Sequence, residues 1–108
     1  MYYSPCFLGG VEEKIFPANT SANDILETCV VYVNNNSGEH DVKDIPTNET
    51  IGHLIVFKTK PWWGNNEICV TQLFVTNSLY YTSDCYFRFK NNNRSFSQIS
   101  WRKVAIAS

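Results

Sequence analysis

The stretch GHLIVFKTKPWWGNNEICVTQLFV, residues 52–75, contains two apolar segments separated by a turn. The segments, residues 52–59 and 67–75, are rich in β-branched and aromatic side chains, which suit a pleated, half-buried surface. Between them, Pro61 and Gly64 interrupt regular structure. Because neither segment shows a helical period of apolar residues, the stretch predicts two antiparallel strands joined by a turn.

The same alternation of apolar segments and polar links continues on both sides of this stretch. Further strands are predicted at residues 29–34, 85–90 and 98–106. Strands of about 6–9 residues with short polar links are typical of an antiparallel meander. Residues 20–26 can form one helical turn, with Thr20 or Ser21 as its N-cap. We therefore expect an all-β fold, a small single-domain antiparallel sheet or sandwich with at most one short helical turn.

The length of 108 residues is that of one domain with its own core. The first 19 residues are irregular, because Pro5, the Gly9-Gly10 pair and Pro17 break any pattern. We expect residues 1–19 to be an irregular N-terminal segment, either a remnant or an attachment region, and residues 20–108 to form the β domain.

The charge of the chain argues against nucleic acid and membranes as partners. The net charge is −1, with nine basic and ten acidic residues, and the largest basic block is Arg102-Lys103. A phosphate backbone needs more counter-charge than this. The aromatic strand at residues 86–90 places its rings on both faces, unlike a stacking platform. No apolar run approaches the ~20 residues of a membrane span, and we expect no secretory signal and no membrane insertion.

The four cysteines, Cys6, Cys29, Cys69 and Cys85, leave two interpretations open. An even number of cysteines permits disulfides, whereas the absence of metal spacing and of an export signal favours free, structural thiols. We expect free thiols. The glycosylation sequons, which begin at Asn19, Asn35, Asn48 and Asn93, are attributed to chance in an asparagine-rich chain.

No combination of residues predicts an enzyme, a cofactor or a metal. Residues 37–41 contain Ser, Glu, His and Asp, but neighbours in one loop cannot hold a nucleophile and a base at ~3 Å with a third group orienting the base. Glu39, Asp41 and Asp44 lack the glycine-punctuated pattern of a calcium loop. We expect a non-enzymatic protein.

Binding by surface loops remains, and its candidates are aromatic residues and amides in the polar links. Indole and phenol rings bury large areas at low entropic cost, and amides supply the hydrogen bonds that carbohydrate recognition needs. The alternative for the Trp pair is that at least one ring covers the end of the sheet or an adjoining subunit. The receptor-binding candidates are Trp62, Trp63, Asn65, Asn66, Tyr80, Tyr81, Asn91, Asn92 and Asn93.

A series of short motifs resembles the small knob domain of bacteriophage tail fibres and R-type pyocin fibres. In chain order, these motifs are Gly52-x-Leu54-x-Val56, Thr71-Gln72, Tyr86-x-Arg88 and Trp101-Arg102-Lys103-Val104. Upstream, residues 23–26, residues 30–33 and Ile45-Pro46 correspond to the entry turn, a first strand and a loop of that family. The resemblance covers residues 20–106. An aromatic residue usually precedes the Trp-Arg pair in the family, and Phe96 takes that place here.

The residues that carry the resemblance predict a structural motif, namely Gln72, Tyr86, Arg88, Trp101 and Arg102. A Tyr-x-Arg strand beside a strand ending in Trp allows the Arg88 guanidinium to lie on the Trp101 ring. Gln72, from a neighbouring strand, can bond to backbone. We expect this arrangement to fix the strand register and to leave recognition to the loops.

The resemblance implies a non-enzymatic virion protein, a knob on a tail or head fibre, made in the cytoplasm of the bacterial host. Its expected partners are a bacterial surface glycan or protein and other virion proteins, and the resemblance implies a homotrimer, as fibre proteins of this kind form. One alternative is a minor structural virion protein that docks onto another tail or capsid protein without binding the host. Another is a secreted, disulfide-rich, lectin-like protein.

Overall fold

The computed structural model describes residues 13–36, 38–46, 51–60, 67–76 and 84–104. In chain order, the strands are β1 (Thr20–Ser21), β2 (Cys29–Asn34), β3 (Val42–Lys43), β4 (Ile51–Thr59), β5 (Cys69–Thr76), β6 (Cys85–Lys90) and β7 (Arg102–Lys103). Two 3-10 turns accompany them, a first turn at Ala22–Asp24 and a second turn at Phe96–Gln98.

Five strands form one antiparallel sheet in the order β2-β4-β5-β6-β7. Successive strands of this sheet are also successive in the chain, except that the short strand β3 lies between β2 and β4 in the chain and does not belong to this sheet. β1 and β3 pair in parallel over two residues and form a separate small ladder. The predicted all-β fold and its antiparallel meander are therefore confirmed. Irregular segments cover the sheet, and the described residues form no extended second sheet.

The last strand differs most from the sequence prediction. A strand was predicted at residues 98–106, whereas β7 contains only Arg102–Lys103 and the second turn occupies Phe96–Gln98. The reason is a capping box, in which the Ser95 hydroxyl accepts from the backbone of the turn and the Gln98 side chain accepts from the Ser95 N–H. The expectation of at most one helical turn was thus too low by one.

The first turn and the other long strands lie close to their predicted positions. β2 and β6 have the predicted bounds, β4 begins one residue earlier than predicted, and β5 begins two residues later and ends one residue later. Ser21 is the N-cap of the first turn, since its hydroxyl accepts from the Asn23 N–H at 3.0 Å. The link predicted between residues 34 and 50 contains the short strand β3.

The core lies between one face of the sheet and the irregular segments. Residues opposite one another across the strands form a row on the buried face, namely Val31, Leu54, Phe74 and Tyr86. Ala22, Ile25 and Phe96, from the two turns and the segment after the first, complete the core from the other side. Because the rows alternate, the next residue along each strand faces away from this core.

Gly52 permits the close approach of β4 and β5 at the end of the sheet. It is buried opposite Thr76, and a Cβ atom there would collide with the carbonyl oxygen of Val75 and lie 3.0 Å from the Phe74 ring. Any side chain at this position would therefore push β5 away or displace the buried Phe74 ring.

The described part of the N-terminal segment contacts the domain. Glu13 forms a parallel bridge with Val30 at the β2 edge of the sheet, and Phe16 packs against the core. The boundary expected at residue 20 stays a prediction. Cys29, Cys69 and Cys85 have free thiols, whereas Cys6 lies outside the described residues. No helix in the described ranges is both long and apolar enough to cross a membrane.

Candidate functional site

The guanidinium of Arg88 on β6 is buried in the core layer, with 3% of the residue exposed. Its central carbon lies 4.2 Å from the centroid of the Trp101 ring and 4.4 Å from the centroid of the Phe96 ring. The faces of aromatic rings are electron-rich and attract a delocalised cation, by about 2 kcal/mol when it is desolvated. The contact between Arg88 and Trp101 that the sequence predicted is therefore present, and Phe96 adds a second ring.

Gln72 on β5 connects this arginine to the first turn. The Arg88 Nε–H donates to Gln72 Oε1 at 2.8 Å. The Gln72 amide in turn donates to the carbonyls of Ala22 and Ile25, at 2.7 and 2.9 Å. Because Gln72 is fully buried, these bonds satisfy an amide that would be costly to leave unpaired. We call Gln72, Arg88, Phe96 and Trp101 the arginine clamp.

Trp101 extends these contacts to the segment after β3. Its indole N–H donates to the Asp44 carbonyl at 2.8 Å. Asp44 has a positive φ of 63°, which turns the chain, and its carboxylate accepts from the Ser21 hydroxyl at 2.5 Å. Since Ser21 also caps the first turn, the contacts form a closed circuit from the first turn through Asp44, Trp101, Arg88 and Gln72 back to the first turn.

Within the part of the chain that the structure describes, Arg88 forms no ion pair. Its hydrogen-bond acceptors are neutral, namely the Gln72 amide and, from one terminal nitrogen, the carbonyls of Phe96 at 3.2 Å and Ile99 at 3.5 Å. Burial lowers the pKa of Arg88 to about 10, and the nearby charge of Asp44 opposes this shift. The guanidinium therefore remains protonated at neutral pH.

An open groove of about 560 Å³ lies beside the outer edge of β6. It exists because β7 pairs only with Tyr86 and Phe87, so the rest of that edge has no strand beside it among the described residues. The chain that would continue the sheet instead leaves it through the asparagine turn and the second turn. We call this space the β6 groove. It is lined by Phe87, Arg88, Phe89, Lys90, Asn91, Arg94, Gln98, Ile99, Ser100 and Arg102.

The lining of the β6 groove combines positive charge, an exposed ring and polar groups. Four of its residues are basic and none is acidic. Arg94 and Arg102 are exposed, and neither forms an ion pair with another described residue. Phe89 is 65% exposed, which is unusual for a large apolar side chain in a sheet. Such a surface can hold an anionic group beside an apolar face.

Of the asparagine candidates in the turn after β6, the structure places Asn91 in the lining of this groove. The Asn91 side-chain oxygen accepts from the Asn93 N–H at 3.1 Å, which forms a tight turn. The Asn92 side chain accepts from the Ile68 N–H at 2.9 Å and ties the turn to the residue preceding β5. Asn93 is exposed. The other receptor-binding candidates, Trp62, Trp63, Asn65, Asn66, Tyr80 and Tyr81, lie outside the described residues.

The residues of the predicted structural motif occupy two different environments. Gln72, Arg88 and Trp101 belong to the clamp, and Tyr86 packs against the core. Arg102 is exposed and lines the β6 groove instead. The motif is thus brought together around Arg88, except for Arg102, which faces solvent.

Sequence reasoning missed Phe89, Arg94 and Gln98 as groove residues. The alternation of side chains along β6 could have indicated Phe89, because an Arg88 that faces the core requires Phe87 and Phe89 to face away from it. Two phenylalanines flanking an arginine would ordinarily be assigned to the core and the arginine to solvent. The clamp reverses that expectation.

The loop containing residues 37–41 has a structural arrangement where it is described. The His40 carbonyl accepts from the Asn34 N–H at 3.0 Å, and the His40 ring meets Tyr32 edge-on at a centroid distance of 5.2 Å. Within the described ranges, no three His, Cys, Asp or Glu residues lie close enough together to hold a metal ion.

Comparison with known proteins adds no relative. The chain matches no family model, no curated protein and no solved structure.

Proposed function

We propose that the chain is a non-enzymatic knob domain of a phage virion, carried on a tail or head fibre, that binds a bacterial surface receptor through its loops. The proposal rests on the order of motifs in the sequence, and its physical support is the position of Arg88. Arg88, the cation of the Tyr86-x-Arg88 motif, is 3% exposed and is stacked on the rings of Phe96 and Trp101. It is therefore available to hold the domain together, and recognition is left to the links.

The polar links around the clamp provide groups that suit a surface receptor. Asn91, Gln98 and Ser100 line the β6 groove beside the exposed ring of Phe89. Amides and hydroxyls both donate and accept hydrogen bonds, as a glycan or a peptide backbone requires. A small sheet that supports such links is a common arrangement for binding, because loops carry function when a scaffold positions them.

Adsorption to cells tests this proposal directly. The purified chain is labelled with a fluorophore and mixed with a panel of bacterial strains, and binding is measured by flow cytometry. We expect adsorption to at least one strain, and loss of adsorption in Trp62→Ala or Tyr80→Ala. Ile15→Ala, which removes an exposed apolar side chain outside these links, is the matched control and is expected to adsorb normally. Absence of adsorption to every strain, including the strain infected by the phage that carries the gene, contradicts the proposal.

A second function, docking onto another virion protein without host binding, is favoured by the outward face of the sheet. Ile55, Leu73 and Phe87 form a half-buried apolar row on this face, and the exposed Phe89 lies beside it. An apolar surface of this kind is typical of protein contacts. The two functions are separated by testing the labelled chain on cells and on purified virions that lack it. Binding to virions alone supports docking.

A further inference from the structure

We propose that the β6 groove binds an acidic saccharide, a sugar ring that carries a carboxylate or phosphate group. The biological role of this binding rests on the proposed receptor-binding function. The binding itself rests on the charges, the exposed ring and the polar atoms of the groove.

The charge of the groove differs from the charge of the chain. The whole chain is nearly neutral at −1, whereas the groove lining contains Lys90, Arg94 and Arg102, together with the buried Arg88, and no acidic residue. Like charges gathered in a concave surface raise the local concentration of anions. Arg94 and Arg102 can each form two parallel hydrogen bonds to a carboxylate or phosphate, since the guanidinium is a planar fork.

The exposed phenylalanine indicates what accompanies the anionic group. Phe89 is 65% exposed and Phe87, two residues earlier on the same face, is half-buried in the groove. The face of an aromatic ring is electron-rich and attracts the slightly positive C–H groups on the apolar face of a sugar. A ligand with an acid group and a ring face would therefore use both halves of the groove.

The rim of the groove favours a saccharide over a nucleic acid. Asn91, Gln98 and Ser100 present amide and hydroxyl groups that match sugar hydroxyls. The volume of about 560 Å³ suits a ligand of a few sugar rings. A nucleic acid would need a longer basic track, because its affinity depends on the number of backbone phosphates that basic side chains neutralise.

Binding of trigalacturonate, compared with its methyl ester, tests the acid group. The two probes have the same rings and hydroxyls and differ in their carboxylates, and affinities are measured by calorimetry at low salt. We expect trigalacturonate to bind, and its ester to bind about tenfold more weakly or not at all. Inorganic phosphate is expected to compete with trigalacturonate. Equal affinity for acid and ester, or no binding of either, overturns the proposal.

The double variant Arg94→Gln, Arg102→Gln locates the binding. We expect it to weaken trigalacturonate binding by about tenfold or more. The control, Lys14→Gln with Lys43→Gln, removes the same charge from exposed positions outside the groove lining and is expected to bind as the unaltered chain does. Far-UV circular dichroism checks that both variants fold. Equal affinities of the two double variants overturn the proposal.

The aromatic and nucleic-acid arms complete the test. Phe89→Ala is expected to weaken trigalacturonate binding, whereas Ile15→Ala, at a position 74% exposed, is expected to leave it unchanged. Loss in both variants, or in neither, overturns the role of the ring. Tighter binding of a single-stranded oligothymidylate than of trigalacturonate, through the same arginines, overturns the assignment to saccharide.

The cell assay separates this inference from the proposed function. If the chain adsorbs to cells and the Arg94, Arg102 double variant adsorbs equally, the proposed function stands and the role of the acidic-saccharide site in adsorption is overturned. If trigalacturonate binds through these arginines but no strain is adsorbed, the site stands and the receptor-binding function is contradicted.

Discussion

At the scale of single residues, Arg88 carries a buried charge that is balanced by neutral groups. The hydrogen-bond acceptors of its guanidinium are the Gln72 amide and backbone carbonyls, and the rings of Phe96 and Trp101 lie 4.4 and 4.2 Å from its carbon. Removing one member of such a set leaves the others buried without partners, which costs more than the bond itself contributed. The clamp is therefore expected to be intolerant of single changes.

We predict that Arg88→Met lowers the free energy of unfolding by about 2–4 kcal/mol. Methionine fills part of the volume but leaves the Gln72 side-chain oxygen without its donor. Urea denaturation monitored by tryptophan fluorescence measures the loss. Arg94→Met, which changes an exposed arginine in the same way, is the control and is expected to stay within about 0.5 kcal/mol of the unaltered chain. If Arg88→Met has the same free energy of unfolding as the unaltered chain but no longer adsorbs to cells, Arg88 contacts the receptor instead of stabilising the fold.

The lowered pKa of Arg88 gives a second prediction. The folded-state pKa is about 10, below the ordinary value of an arginine, so between the folded-state and the unfolded-state pKa the unfolded chain binds the proton more strongly. Stability contributed through this group therefore rises with pH in that window. From about pH 6 to about pH 9 Arg88 is protonated in both states, and the stability difference between the unaltered chain and Arg88→Met is expected to be constant.

Above about pH 10, the unaltered chain is expected to gain stability relative to Arg88→Met, because deprotonation relieves the cost of burying the charge. Paired urea titrations of the two proteins across this range measure the difference, and the titration of other groups cancels between them. A difference that shrinks from pH 10 upwards would mean that burial does not disfavour the charged form.

At the scale of elements, the approach of β4 to β5 depends on Gly52. Its missing side chain leaves room for the Val75 carbonyl and for the edge of the Phe74 ring, 3.0 Å from where a Cβ atom would stand. We predict that Gly52→Ala lowers the free energy of unfolding by about 2 kcal/mol or more, because backbone cannot move aside as a flexible side chain can. Urea denaturation measures the change.

Gly38→Ala is the matched control for this prediction. Gly38 has a φ of 75°, and a Cβ atom there would have no neighbour within 4 Å. Its substitution costs only the strain of the left-handed backbone, about 1 kcal/mol. A Gly52→Ala variant no less stable than Gly38→Ala would show that β5 can shift without loss.

The elements also show which parts of the fold the sequence could predict. β2, β4, β5 and β6 were predicted within two residues, because each is a long apolar run between turn residues. β1, β3 and β7 are two residues long and carry no periodic signal, so their positions depend on tertiary contacts. The second turn was signalled locally by the Ser95–Gln98 spacing of a capping box, which the aromatic residues around it obscured.

The candidate site was predictable to a smaller extent than the sheet. The contact between Arg88 and Trp101 followed from two motifs on separate strands, since a cation beside an indole is a recurrent pair. The β6 groove did not follow, because it arises where β7 stops pairing and the chain leaves the sheet. Such a departure is set by the whole packing arrangement and has no local sequence pattern.

At the scale of the whole molecule, the clamp joins the irregular layer to the sheet. The Gln72 side chain donates to the carbonyls of Ala22 and Ile25, and the Arg88 side chain donates to the carbonyl of Phe96. Both turns are therefore attached to neighbouring strands. In a small domain, segments without strand pairing ordinarily open locally before the sheet unfolds. The buried polar bonds are expected to suppress this local opening.

We predict that Gln72→Met separates the opening of the turns from the unfolding of the sheet. In the unaltered chain, the Ile25 and Ile99 amides, which donate to Ala22 and Phe96, are expected to exchange hydrogen with the same free energy as amides of β4 and β5. In Gln72→Met the two turn amides are expected to exchange at least about tenfold faster than the sheet amides, because the carbonyls of the first turn lose their donor. Native-state hydrogen exchange by NMR measures both groups. Val33→Ala removes buried volume away from the clamp and is expected to accelerate turn and sheet amides together, so equal acceleration in Gln72→Met would contradict a role for the clamp in attaching the turns.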